Sequence, residues 1–185
     1  MKRRRIHPSH RYTGVAVVLH WLMALMILGS LAVGLTMARM AQSPRQMQLY
    51  NWHKWAGVLL LTLAALRLLW RLSHRPPTLP PMPAWQQAAA RASHAALYGL
   101  FFAVPLVGWA YSSAAGFPIV WFGVLALPDF VPADKALAEA IKPWHAYLAY
   151  ALAALVLMHV AAALKHHFID RDGLLSRMWL TRKPS

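Results

Sequence analysis

Four histidines, His20, His53, His145 and His159, lie within or at the start of long apolar runs. An ionisable group in such a run is costly to place in lipid, and its presence points to function. His159 follows His145 by 14 residues, which on a helix is about 21 Å of rise and within about 40° of the same face. If successive runs cross a bilayer in alternating directions, His20 shares a depth with His159, and His53 shares one with His145. Two imidazole pairs at two depths on one helix face are what two stacked b-type haems require. Neutral imidazole is a strong axial ligand, and iron held by two of them has no open position. A single membrane histidine is more often an interhelical hydrogen-bonding group; four at matched depths on three helices favour ligation. His94, near the start of the third run, competes with His20 or His159 for the inner site. His7, His10 and His74 read as solvated.

Other residues keep the same register. Gly34 stands 14 residues after His20 and Arg67 stands 14 after His53. Gly34 therefore puts a small residue near the outer pair, and Arg67 falls near the inner pair, where a propionate carboxylate would offset its charge. Gly57, one turn after His53, leaves room for a flat ring. Each glycine also reads as a plain helix-packing residue, and Arg71 as a side chain that snorkels to water.

The elements that must position these residues are membrane spans. The chain has 185 residues, 59% of them hydrophobic and 13% charged, with mean hydropathy +0.41. Four stretches approach the ~20 apolar residues that cross a bilayer as a helix: roughly 14–38, 52–72, 92–114 and 143–167, the third containing Pro105. A fifth apolar run, Phe117–Leu127, is too short to span and is expected to lie at the interface or re-enter. The 14–38 run is too long for a cleaved signal peptide and no A-x-A-like site follows it. Prolines 76, 77, 80, 81 and 83 make 75–84 a semi-rigid connector, and 115–142 is a loop on the opposite side. The whole of 1–185 reads as one membrane domain.

There are 19 Lys and Arg against 5 Asp and Glu, a formal charge of +14. With the N-terminus inside, 14 basic residues fall on the cytoplasmic side and 5 outside (Arg39, Arg45, Lys54, Lys135 and Lys142). This asymmetry places both termini in the cytoplasm, and makes the charge a topology signal rather than a sign of nucleic acid. The absence of cysteine excludes disulfides, thiolate metal sites and covalent c-type haem attachment. The fold expected is an all-α integral membrane four-helix bundle.

Several segments resemble the bacterial cytochrome b561 family: Val18-Leu19-His20-Trp21-Leu22 after Arg11-Tyr12; Trp52-His53-Lys54-Trp55-Ala56-Gly57; Ser93-His94 ahead of Pro105-Leu106-Val107-Gly108; Trp144-His145; and His159 through Lys165-His166-His167. The resemblance covers nearly the whole chain. It implies a protein of the bacterial inner membrane with two non-covalent b haems at His20, His53, His145 and His159. It also implies, from a superoxide oxidase in the family, electron transfer from superoxide on the periplasmic side to ubiquinone in the membrane. Lys54 beside His53, and Lys142 one turn before His145, would steer a small anion; Lys54 reads equally as an interfacial anchor, and Asp129, Asp134 and Glu139 weaken the outer field. Quinol formation needs two protons, for which His166, two turns beyond His159, and then His94 and Arg67 are the candidates.

The function expected is thus a quinone-reducing oxidoreductase with a small periplasmic donor. The alternative is a haem-bearing anchor that docks a soluble redox protein partner such as a dehydrogenase or hydrogenase. A histidine-lined transporter is a third reading, opposed by the scarcity of carboxylates in the spans.

Overall fold

A computed structural model describes residues 11–78 and 81–179. Lys2, Arg3, Arg4, Arg5, His7, His10, Arg182 and Lys183 lie outside the described residues, as does Pro80 of the connector. Four helices carry the fold: α1 (Gly14–Met37), α2 (Pro44–Ser73), α3 (Ala84–Ala114) and α4 (Lys135–Lys165). All four are long and apolar enough to cross a membrane, and the protein is a membrane four-helix bundle. Close packing runs in chain order, α1 on α2, α2 on α3 and α3 on α4. We call the end with Thr13, the 74–83 connector and Lys165 the terminal end, and the other the hairpin end.

Polar side chains set where α1, α2 and α4 start, while α3 begins after Pro83 with no side-chain cap. Thr13 Oγ1 accepts from Ala16 N at 3.3 Å, Ser43 Oγ from Gln46 N at 3.2 Å, and Asp134 Oδ1 from Leu137 N at 3.1 Å, each satisfying an N–H that the first turn leaves unpaired. Pro44 follows Ser43 at the first helical position, where its missing N–H costs nothing. At the far end of α1, Gln46 Nε2 donates to Met37 O and Met40 O, both at 2.9 Å, so one side chain closes the α1–α2 turn. Helices α2, α3 and α4 begin about two turns before the apolar runs, because Arg45–Tyr50, Trp85–Arg91 and Lys135–Lys142 continue the helix beyond the hydrocarbon.

The buried core is narrow: Met23, Ile27, Leu63, Ala64, Leu97 and Leu152 meet at mid-bundle. Outward-facing leucines stay uncovered by protein, such as Leu25 at 69%, Leu69 at 63% and Leu157 at 71% exposure. In water such a surface would be untenable; in a bilayer it is the lipid-facing side.

The Phe117–Leu127 run folds as a two-stranded antiparallel hairpin, β1 (Val120–Trp121) and β2 (Leu125–Ala126). Its turn places Phe122 at φ +50 and Gly123 at φ +73. Phe122 tolerates this left-handed conformation between two indoles, 5.0 Å from Trp55 and 4.9 Å from Trp121. At the terminal end, α4 passes into a π-helical turn, His166–Asp170, and then a short 3₁₀ segment, Leu175–Met178. That segment lies across the bundle end: Arg11 Nη2 donates to Ser176 O at 3.0 Å and Trp21 Nε1 to Met178 O at 2.8 Å.

Candidate functional site

The histidines meet in two pairs at two levels. His53 of α2 and His145 of α4 have ring centroids 6.0 Å apart; His20 of α1 and His159 of α4 are 6.2 Å apart. Two imidazoles bound to opposite sides of one metal, each through a bond of about 2 Å, put their centroids roughly 6.3 Å apart. Both pairs sit at that spacing. The interplanar angles, 87° and 65°, are permitted because each ring can turn about its own metal–nitrogen axis.

In the hairpin-end pair each ring is fixed from behind. His145 Nδ1 donates to Val104 O at 3.0 Å; a carbonyl only accepts, so the proton is on Nδ1 and the Nε2 lone pair is free. His53 Nδ1 lies 3.2 Å from Ser30 Oγ. Two glycines make space for the rings. A Cβ on Gly34 would stand 3.2 Å from His53 Cε1, and one on Gly108 only 2.8 Å from His145 Cε1. Gly57 faces Pro105, the nearest atom to its would-be Cβ at 4.0 Å. Around this pair opens a cavity of about 970 Å³. Ile27, Leu31, Leu100 and Val104 line its floor; Lys54, Tyr50 and Lys142 line its mouth; Phe117, Pro118 and Ile119 form a wall. Trp109 Nε1, also on this cavity, is buried with no hydrogen-bond partner among the described residues.

The terminal-end pair has different company. His94 lies 5.5 Å from His159, centroid to centroid, and Trp21 packs edge-on to His20 at 5.3 Å. Arg67 is within Coulombic reach of His20, His94 and His159, and its Nε donates to Tyr98 Oη at 3.2 Å. The structure thus brings Arg67 to the terminal-end pair and Gly34 to the hairpin-end pair.

Of the remaining candidates, Lys54 Nζ donates to Phe117 O at 3.3 Å and Pro118 O at 3.4 Å, tying the cavity wall to α2. Lys142 lines the same cavity. His166 stands apart from the ring pairs: its Nδ1 is 2.7 Å from Asp172 Oδ2 and 3.0 Å from Asp170 Oδ2, and Lys165 Nζ meets Asp170 at 2.6 Å. Ser30, Gly108 and Trp109 are site residues that the sequence reading passes over. Ser30 had a usable signal, one turn before Gly34 on the same face; the other two become apparent only once α3 is packed against α4.

At the hairpin-end pair a flat tetrapyrrole fits what is present: apolar walls, imidazoles at bis-ligand spacing, glycine clearances, and an orphaned indole N–H able to meet a carboxylate. The family profile described as prokaryotic cytochrome b561 matches residues 11–180. Among curated proteins, the chain is 38% identical to cytochrome b561 homolog 2 of Escherichia coli K12, over 93% of each chain. It is 33% identical to cytochrome b561 homolog 1 of the same organism, over 94% of this chain and 99% of that one. Against a probable superoxide oxidase of Yersinia pestis, identity is 28% over 91% of this chain and 95% of that one.

Proposed function

Because this chain belongs to the prokaryotic cytochrome b561 family, whose members are haem b proteins of membrane electron transfer, we propose that it holds two b haems and passes electrons from periplasmic superoxide to ubiquinone. The observation that carries this reading is the pair of imidazole separations, 6.0 and 6.2 Å, at two levels of one helix. His53 and His145 would hold the outer group, and His20 and His159 the inner. Bound between two imidazoles, haem supplies reversible one-electron transfer at a coordinatively saturated iron.

The chain's own residues supply the rest. Val104 O and Ser30 Oγ orient the outer imidazoles, and a ligand held in this way is also made more basic. Trp109 Nε1 at the outer cavity and Arg67 at the inner pair are placed to meet propionates. His20 is the partner of His159, because the 5.5 Å between His94 and His159 is short for ligation from opposite faces. The basic asymmetry puts the hairpin end in the periplasm, where Lys54 and Lys142 draw a small anion to the cavity mouth. Asp134, one of the loop acids that would oppose them, is engaged as the α4 cap. At the cytoplasmic end, the His166 and Asp172 pair holds a proton at Nδ1, within two turns of His159, for quinol formation. The reaction balances when two superoxide anions give two dioxygens and one ubiquinone takes up two electrons and two protons.

A second reading draws on the hairpin tip, where Phe122 is 60% and Val124 88% exposed: a soluble redox protein docks there and is the electron donor. Stopped-flow mixing of the purified protein with superoxide and a short-chain ubiquinone tests the first reading. It expects one quinol for every two superoxide anions, well above the uncatalysed rate. Superoxide decay at the background rate, without quinol, would leave the docking reading in its place.

A further inference from the structure

The two imidazole pairs are held by different means. Val104 O and Ser30 Oγ stand behind the rings of the outer pair. Among the described residues no hydrogen bond reaches the ring of His20. Besides its partner His159, the ring packed on it is Trp21, edge-on at 5.3 Å and 71°. Trp21 is 41% exposed, and an indole so open to its surroundings changes rotamer freely unless something fixes it. Its Nε1 donates to Met178 O at 2.8 Å, across 157 residues of sequence. That carbonyl belongs to the 3₁₀ segment that crosses the terminal end.

The segment is itself pinned at several points. Arg11 Nη2 donates to Ser176 O at 3.0 Å, and Arg177 Nη1 donates to Thr78 O of the connector at 2.7 Å. At its root, Arg171 (φ +52) and Gly173 (φ +76) turn the chain back over the bundle. Asp172 between them locks the reversal: Oδ1 accepts from Leu174 N at 3.0 Å and Oδ2 from His166 Nδ1 at 2.7 Å. These ties are polar and peripheral, so the segment can open without unfolding the bundle. We propose that residues 171–178 are a strap that sets the indole of Trp21, and that Trp21 is thereby a positioning residue for the His20 ring. The plane of that ring is then fixed from a distant part of the chain, whereas Val104 O and Ser30 Oγ fix the outer rings directly. In a low-spin ferric haem the angle between the axial imidazole planes, 65° for this pair, governs the g anisotropy, and groups that orient a ligand tune the metal. The inference rests on the reading of His20 as an inner axial ligand; it is independent of the electron donor and of the acceptor.

Electron paramagnetic resonance of the ferric, haem-loaded protein, with hydrogen exchange at residues 174–179 on the same samples, tests it. The inner signal is the one that His20→Ala removes. Trp21→Phe keeps a ring against His20 and removes the N–H. Both haems should stay bound and the outer signal stay unchanged, while the inner signal moves in g value. Exchange at 174–179 should rise about fivefold, the effect of one lost hydrogen bond. Arg177→Ala leaves Trp21 and His20 in place, frees the strap from the connector, and should move the same signal in the same direction. Arg177→Lys, still a donor for Thr78 O, should keep the wild-type signal. Should Trp21→Phe lose the inner haem, the two Arg177 variants decide. Faster exchange with an inner signal that neither Trp21→Phe nor Arg177→Ala moves would overturn the positioning role. A signal moved by Trp21→Phe alone, with exchange raised in both, would overturn the strap's part in it, as would exchange that neither variant changes. Absence of an inner low-spin signal from the wild-type protein would instead overturn the haem assignment, and this inference with it.

Discussion

Replacing Gly108 with alanine puts a methyl carbon 2.8 Å from Cε1 and 3.0 Å from Nδ1 of His145. Non-bonded carbons settle at about 3.5–4.0 Å, so the ring must retreat by roughly 0.7 Å. It has little freedom to do so, because Nδ1–H is bonded to Val104 O, one turn earlier on the helix that carries the new methyl. Retreat gives up that hydrogen bond, worth about 1 kcal/mol. It also moves the ring beyond the ~0.2 Å tolerance of a metal–ligand distance. Gly108→Ala should therefore purify with one haem per chain, the inner one, as read by pyridine haemochrome and the reduced α band. Gly34→Ala, whose Cβ is 3.2 Å from His53 Cε1, asks for only a few tenths of an ångström and should keep both haems with a perturbed spectrum. Gly29→Ala, with nothing within 4 Å of the new methyl, should match the wild type. Alanine otherwise favours a helix over glycine by about 0.5–1 kcal/mol, so haem loss in Gly108→Ala without loss of helix stability marks the effect as local. Two haems with an unaltered spectrum in Gly108→Ala would refute the placement of the His145 ring.

Three further outcomes follow from the same geometry. His20→Ala should lose the inner haem while His94→Ala keeps both; haem analysis of the two variants checks this, and the reverse pattern would move the inner ligand to α3. Ser30→Ala removes the hydroxyl behind His53 and should raise the outer haem's potential without loss of haem, since a less strongly hydrogen-bonded imidazole is a weaker electron donor to iron; redox titration measures it, and an unchanged potential would deny Ser30 that role. Lys54→Met releases Phe117 O and Pro118 O and should speed amide exchange across 117–127 several-fold in a hydrogen-exchange experiment, whereas unchanged exchange would deny Lys54 its role as a tether.

The bundle was legible because its determinants are local. Runs of lipid-compatible side chains, broken by Pro-rich or polar turns, leave few alternatives to four crossings. The 14-residue interval on α4 and its echo at Gly34 and Arg67 were legible for a related reason: a helix converts spacing into depth and face with little error. Contributions that depend on two helices meeting were not. Gly108 makes room for a histidine 37 positions later, and Trp109 shows itself as a buried orphan donor only inside the assembled cavity. The hairpin was hidden by composition, since Phe117–Leu127 is as apolar as a span and differs mainly in length and in the glycine of its turn. The 3₁₀ segment across the terminal end was hidden likewise, because its anchors, Arg11 and Trp21, lie more than 150 residues away in sequence.

The central claim, two bis-histidine b haems at two levels of one bundle, is met most directly by a dithionite-reduced-minus-oxidised spectrum of the purified protein with haem quantified per chain. Two haems per chain with a sharp low-spin α band are predicted. A single haem, or none after expression with ample haem supply, would contradict it.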